Sequence, residues 1–182
     1  MDLDWNAELV AQLEWHWDNQ LRPRLNGLSD EEYFWEPIPG CWSIRPRKEG
    51  AAPGTGDFTG DWAWPAPDPA PVTTIAWRIA HVAMGCFGMR NAAHFGGPPV
   101  DPGTFEYAGT AAQALRQLDD GYAAWIAGVR SLGAGGLSRP CGPAEGPFAE
   151  YPMAALVLHI NREVIHHGAE ISLLRDLYLR QK

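Results

Sequence analysis

The sequence predicts an all-α fold, in which four long helices pack as a four-helix bundle with long loops. Apolar residues recur at three- and four-residue steps in four segments, which is the period of helices with one buried face. The connecting stretches are rich in glycine and proline, which interrupt regular structure. Because 46% of the 182 residues are hydrophobic, the chain can build one core, and we expect a single domain over residues 1–182.

The N-terminal half holds two of the long helices and one short one. Residues 5–25 repeat apolar side chains at helical spacing until Pro23 disturbs the pattern. Ser29 followed by Glu32 has the form of a capping box and predicts the start of a short helix. The second long helix is predicted from about residue 73 to about residue 94.

The other two long helices are predicted at residues 110–132 and 153–179, whereas residues 45–72 show neither a helical nor a strand period. In the last helix the apolar residues step alternately by four and three, which is typical of a helix buried in a bundle. His167 occupies one position of this series. A buried imidazole without a partner costs about 1 to 3 kcal/mol, so His167 needs a hydrogen bond, a metal or a water-filled cavity.

The composition argues against several classes of function. Fourteen Lys and Arg residues stand against 22 Asp and Glu, a net charge of −8, which does not suit binding to nucleic acid or to anionic lipid. No apolar run approaches the roughly 20 residues of a membrane span, and the first residues do not resemble a signal peptide. We therefore expect a cytoplasmic protein whose three cysteines, which form no CxxC pair, are reduced.

Residues that bind metals are concentrated on the last predicted helix. Glu163 and His167 are four residues apart and therefore project from one face, and His81 lies on the second long helix. Two histidines and one carboxylate leave coordination positions open, as catalytic zinc sites do, and they also suit ferrous iron. The alternative is a hydrogen-bonded polar cluster without an ion, and the spacing alone favours neither.

Three further residues are candidates for contacts around this site: His159, His166 and Trp42. His159 lies one turn before Glu163 and is suited to orient it, although a core histidine has the same pattern. His166 points about 100° away from its neighbour around the helix, so a solvent-exposed position is an equal alternative. Trp42 belongs to a set of loop tryptophans predicted to face a substrate, together with Trp62 and Trp64. Two charged residues of the last helix are predicted to be solvated or to form ion pairs between helices: Arg162 and Glu170.

Three short segments resemble the DinB-like metalloprotein superfamily: residues 40–44, 77–81 and 161–171. This superfamily includes thiol-dependent S-transferases and the mycothiol-dependent maleylpyruvate isomerase. The resemblance implies a four-helix bundle that holds a divalent metal through one histidine of the second helix and an HxxxH or ExxxH pair of a later helix. By this resemblance the metal ligands are His81, Glu163 and His167.

The function that the resemblance implies is a metal-dependent transferase or isomerase that uses a low-molecular-weight thiol such as mycothiol. Zinc is the metal expected first, with nickel, iron and manganese as alternatives. A hydrolase that uses metal-activated water is one alternative function, and a non-catalytic, stress-related metal-binding protein is another. We expect a small-molecule substrate and neither nucleic acid nor membrane as a partner, while monomer and homodimer both stay open.

Overall fold

The computed structural model describes residues 3–48 and 53–181 and is predominantly helical, as predicted. Two of the long helices contain a π-helical segment. Helix α1 comprises Trp5–His16, a π-helical segment Trp17–Leu21 and a last turn Arg22–Arg24. Helix α3 comprises Ile75–Ala80, a π-helical segment His81–Gly88 and Met89–His94. The other helices are α2 (Asp30–Tyr33), α4 (Ala111–Leu137) and α5 (Met153–Arg180), with a 3-10 segment at Pro143–Phe148. Within the described residues, no helix has the length and apolar character needed to cross a membrane.

Hydroxyl side chains cap three of these helices at the places that the sequence indicates. The Ser29 hydroxyl accepts a hydrogen bond from the backbone N–H of Glu32 at 3.2 Å, which confirms the predicted start of α2. Thr74 and Thr110 accept equivalent bonds at the starts of α3 and α4. In α4 the helical dihedral angles are interrupted at Gly133, directly after the predicted end of this helix, and one more turn follows.

Residues 45–72 show no strand period in the sequence, yet they contain most of a short two-stranded sheet. Strands β1 (Ile44–Pro46) and β2 (Phe58–Gly60) pair antiparallel, with Ile44 opposite Gly60. Arg45 secures the pair through Asp61, at 2.7 Å from Nε. Strands of three residues are too short to show a period of two, and their pairing depends on contacts that a local pattern does not contain.

The four long helices form an up-down-down-up bundle. Helices α1 and α5 run in one direction, and α3 and α4 run in the other. Contacts at successive levels of the bundle establish these directions. Between α1 and α5, Asn161 contacts Leu9 and Arg175 contacts Asn26, and between α3 and α4, Asn91 contacts Gly121 and Phe95 contacts Trp125, so each of these two pairs is parallel. Between α1 and α4, Asn6 contacts Val129 and Arg22 contacts Asp119, so these helices are antiparallel. Between α3 and α5, Arg78 contacts Glu170 and His81 contacts His167, which is again antiparallel. Helices α3 and α5 are therefore antiparallel neighbours.

The inner face of α5 follows the predicted series of apolar residues. Its buried members are Met153, Val157, Ile160, Val164, Ile171 and Tyr178. His167 occupies the predicted position among them, with 7% of its surface exposed. The core therefore contains an imidazole that needs polar partners.

A buried ion pair joins α2 to the C-terminal part of α5. The Nε atom of Arg175 lies 2.6 Å from one carboxylate oxygen of Glu32, and an Nη atom lies 3.1 Å from the other. This bidentate geometry is the strongest form of an arginine–carboxylate contact. Helix α2 is too short to be stable by itself, and this pair attaches it to the bundle.

Candidate metal centre

The start of α3 is held in place by the segment around Trp42. The backbone N–H of Trp42 donates to the carbonyl of Val72, and the N–H of Thr74 donates to the carbonyl of Trp42, both at 2.9 Å. The hydroxyl of Thr74 also donates to that of Ser43 at 3.0 Å. These bonds fix the first turn of α3, and His81 follows on the same helix.

The structure brings His81, Glu163 and His167 together between α3 and α5. One ligand atom of each side chain lies within 4.8 Å of the corresponding atoms of the other two. The Nε2 atom of His167 is 3.3 Å from Oε2 of Glu163, and the two imidazole rings are 4.7 Å apart and perpendicular. The three residues predicted to bind a metal thus form one cluster.

The surroundings of His81 keep its ring neutral. Burial, together with the neighbouring His167 and Arg78, lowers the pKa of His81 to about 4, although nearby carboxylates oppose this shift. Trp77 stacks on the ring with its plane 5° from parallel. A neutral imidazole has a free electron pair, which a metal ligand requires. His81 also begins the π-helical segment of α3, a feature that is frequent at functional sites.

A carboxylate determines which nitrogen of His167 carries the proton. The Nδ1 atom of His167 lies 2.7 Å from Oε2 of Glu170, so we assign the proton to Nδ1 as a donor to this carboxylate. Arg78 forms an ion pair with the same oxygen at 3.0 Å. The electron pair on Nε2 then faces Oε2 of Glu163. An imidazole nitrogen and a carboxylate oxygen at this distance attract each other only when a proton or a metal ion lies between them, so this donor set is able to hold a divalent metal.

Sequence reasoning captured only part of this arrangement. Glu170 was expected to be solvated or to form an ion pair between helices, and it forms such an ion pair with Arg78. Its contact with His167 was missed, and so was Arg78 itself. Both residues lie three positions from a histidine of the cluster, Glu170 after His167 and Arg78 before His81. That spacing places them on the same helix face and was the available signal.

A second group of residues that could hold a metal ion consists of His166, His167 and Glu170. The carboxylate of Glu170 is already paired with the guanidinium of Arg78. The oxygen of Glu170 that faces His167 already contacts both Nδ1 of His167 and Arg78, so a metal ion would have to displace these contacts. The arrangement of charges therefore favours the site formed with His81 and Glu163.

His159 and His166 lie beside the cluster and outside its set of three ligands. The Nδ1 atom of His159 is 3.6 Å from Oε1 of Glu163 and accepts a hydrogen bond from Arg162 at 2.7 Å. His166 is largely exposed, and its Nε2 atom is 3.5 Å from Oε1 of Glu170. His159 is therefore placed to influence the Glu163 carboxylate, whereas His166 contacts the residue that orients His167.

The three loop tryptophans occupy different environments. Trp42 packs against Trp77 with the ring centres 5.6 Å apart, and Trp77 stacks on His81. Trp42 therefore supports the wall of the site through a second indole. Trp62 and Trp64 stack on each other in the loop after β2 and are 63% and 82% exposed. That these two face a substrate stays a prediction.

The cysteines of the chain are free and buried. Burial and the nearby Glu163 raise the pKa of Cys86 to about 12, and burial also raises the pKa of Cys141. A thiol with such a pKa is protonated at neutral pH and is a poor nucleophile. Cys86 is thus unsuited to attack a substrate although it lies close to the cluster.

This protein is a helical bundle, and two histidines and a glutamate cluster on two of its adjacent helices. It is therefore an α-helical protein with a candidate metal centre. The family model of the DinB superfamily matches residues 55–171, which is more than half of the chain and includes all three residues of the cluster. The protein therefore belongs to the DinB superfamily. The comparison with curated proteins and the comparison with solved structures each yield no match.

Proposed function

We propose that this protein is a divalent-metal-dependent transferase or isomerase that uses a low-molecular-weight thiol as cosubstrate. The observation that carries the proposal is the pair formed by Nε2 of His167 and Oε2 of Glu163, which face each other at 3.3 Å beside the neutral ring of His81. Membership of the DinB superfamily supports the same assignment. The finer choice of a thiol rests on the resemblance in sequence and is tested below.

His81, Glu163 and His167 are the residues that would hold the metal. Zinc suits this set of ligands best, and nickel, iron and manganese are the alternatives. When bound, such an ion supplies a Lewis acid that lowers the pKa of a thiol or of water. Among the described residues, His159 and His166 do not join the set, and three protein ligands leave positions for a substrate.

The other residues of the centre orient the ligands and limit the choice of nucleophile. Glu170 holds His167 by its Nδ1 atom, and Arg78 holds Glu170. Trp77 covers one face of His81 and restricts water on that side. Because the thiol of Cys86 stays protonated at neutral pH, a thiol nucleophile would have to come from a bound small molecule.

The first experiment is elemental analysis of the purified protein and of His81→Ala and His167→Ala. His94→Ala is the matched control, because it removes a histidine of α3 that pairs with Glu145 and does not belong to the set of ligands. We expect about one divalent ion per chain in the wild type and in the control, and at least about a tenfold loss in the two ligand variants. Metal content that is unchanged in both ligand variants would refute the site.

The second experiment measures conjugation of mycothiol, glutathione and cysteine to a chromogenic aryl halide, with and without a chelator. Activity should require the metal and should be lost in His167→Ala. Thiol conjugation that survives complete removal of the metal would contradict the mechanism while leaving the site intact. Metal-dependent hydrolysis of an aryl ester without any thiol conjugation would assign the protein to the hydrolase alternative.

A further inference from the structure

A cavity of about 370 Å³ lies between the N-terminal half of α5, the C-terminal part of α3 and the 3-10 segment before α5. This volume is within the range of small-molecule sites. The cavity is separate from the three candidate metal ligands, none of which lines it. Its polar and aromatic lining residues are Arg90, Glu145, Phe148, Tyr151, His159 and Arg162.

Two residues of the cavity wall connect it to the metal centre. The Nδ1 atom of His159 and the Nε atom of Arg162 lie 3.6 Å and 3.8 Å from the same oxygen of Glu163. His159 precedes Glu163 by one helical turn. A molecule in the cavity would therefore lie within about one turn of α5 from the candidate ligands.

The lining of the cavity has more cationic than anionic side chains, although the protein is acidic as a whole. Arg90 and Arg162 contribute two guanidinium groups against the one carboxylate of Glu145. Arg90 and Glu145 are paired with each other at 3.1 Å, and His94 lies 2.9 Å from the second oxygen of Glu145, so Arg162 is the cation that a ligand would meet. The side chain of Arg162 is 68% exposed and can turn toward a ligand. The wall therefore suits an anion.

The remaining wall is apolar and partly aromatic. Phe148 and Tyr151 lie with their ring centres 5.5 Å apart, and more than half of each residue is exposed. Leu156 and Ala155 continue the apolar surface along α5. Exposed aromatic rings beside a cavity are favourable contacts for a flat apolar group.

We propose that this cavity is the binding site of a small carboxylate with a flat apolar body, and that this molecule is the substrate on which the metal centre acts. The substrate role rests on the proposed function. A carboxylate fits better than a phosphate ester, because Glu145 and Glu163 lie nearby and repel a doubly charged group more strongly. Arg162 would bind the carboxylate, and Phe148 and Tyr151 would contact the apolar body.

The test is calorimetric titration of the metal-containing protein with benzoate, using benzyl alcohol as the neutral ligand of similar shape. Arg162→Gln should weaken benzoate binding at least about tenfold and leave benzyl alcohol binding unchanged. Arg116→Gln, an exposed arginine on α4, is the matched control and should bind benzoate like the wild type. Tyr151→Ala should weaken both ligands, because it removes part of the apolar wall.

Three results would overturn the proposal. They are benzoate affinity that is unchanged in Arg162→Gln, benzoate binding that disappears when the metal is removed, and tighter binding of phenyl phosphate than of benzoate. The second result would place the carboxylate on the metal instead of in the cavity. Benzoate binding that depends on Arg162 and persists in His167→Ala supports the cavity as a binding site even if elemental analysis refutes the metal, so the two proposals fail separately.

Discussion

At the scale of single residues, the metal centre depends on which nitrogen of His167 carries its proton. Glu170 accepts the proton of Nδ1 and thereby leaves Nε2 free beside Glu163. Arg78 forms an ion pair with Glu170 from the neighbouring helix at 3.0 Å. Carboxylates that bind the far nitrogen of a histidine ligand fix its ring and increase its basicity. Glu170 is therefore expected to act on the metal through His167.

Replacing Glu170 tests this role. Glu170→Gln removes the charge that holds both His167 and Arg78 but keeps a side chain of similar size. We expect metal affinity, measured by competition with a chromogenic chelator, to fall about 10- to 100-fold.

Glu150→Gln is the control for Glu170→Gln, because Glu150 is exposed in the loop before α5 and should leave the affinity unchanged. Equal affinities of wild type and Glu170→Gln would contradict a positioning role. Unchanged circular dichroism of Glu170→Gln would show that a loss of affinity is not a loss of fold.

At the scale of elements, the sequence predicts features that depend on residues a few positions apart, such as helix caps, and does not predict pairings between distant segments. The cap of α2 by Ser29 acts between residues three positions apart and was predicted. The pairing of Ile44 with Gly60 joins two short segments across a loop, and the loop carries no period that would reveal it. The π-helical segment that begins at His81 changes the hydrogen bonding of a helix that is otherwise continuous, and the apolar pattern does not reveal it.

The attachment of α2 to α5 yields a prediction about stability. Glu32→Ala leaves the buried guanidinium of Arg175 without its carboxylate, and breaking a buried pair in this way costs about 3 to 5 kcal/mol. We expect a loss of this size in the free energy of unfolding, measured by urea denaturation.

Glu31→Ala is the matched control for Glu32→Ala on the same short helix. Glu31 is exposed and lies 3.5 Å from the hydroxyl of Tyr178, so its removal should cost less than about 1 kcal/mol. Equal losses in the two variants would show that the Glu32–Arg175 pair does not stabilise the bundle.

At the scale of the whole molecule, the up-down-down-up order creates the metal centre. It makes α3 and α5 antiparallel neighbours, so that His81 and His167 meet although they are far apart in the chain. The same packing partly buries His81 and lowers its pKa to about 4 from an ordinary value of 6.5. The stability of the metal-free protein should therefore depend on pH.

The direction of this pH dependence follows from the two pKa values. Between pH 6.5 and about pH 4, His81 binds a proton in the unfolded chain but not in the folded chain. The free energy of unfolding is therefore highest above pH 6.5 and decreases as the pH is lowered through this window. Between about pH 7.5 and about pH 4.5, the chelated wild type should lose about 2 kcal/mol more than His81→Asn in urea denaturation. His166→Asn, which removes an exposed histidine, should keep the wild-type dependence. Parallel pH profiles for wild type and His81→Asn would contradict the prediction.

By itself, the sequence determined the helices, their caps and the buried position of His167, because periodicity and capping act between residues within one or two turns. It also marked Glu163 as the neighbour of His167, four residues before it on the same face. Only the tertiary structure decided how Arg78 and Glu170 orient His167 and where the cavity opens beside Glu163. Arg78 and His167 are 89 residues apart, and contacts at such separations depend on how the helices pack, which no local pattern contains.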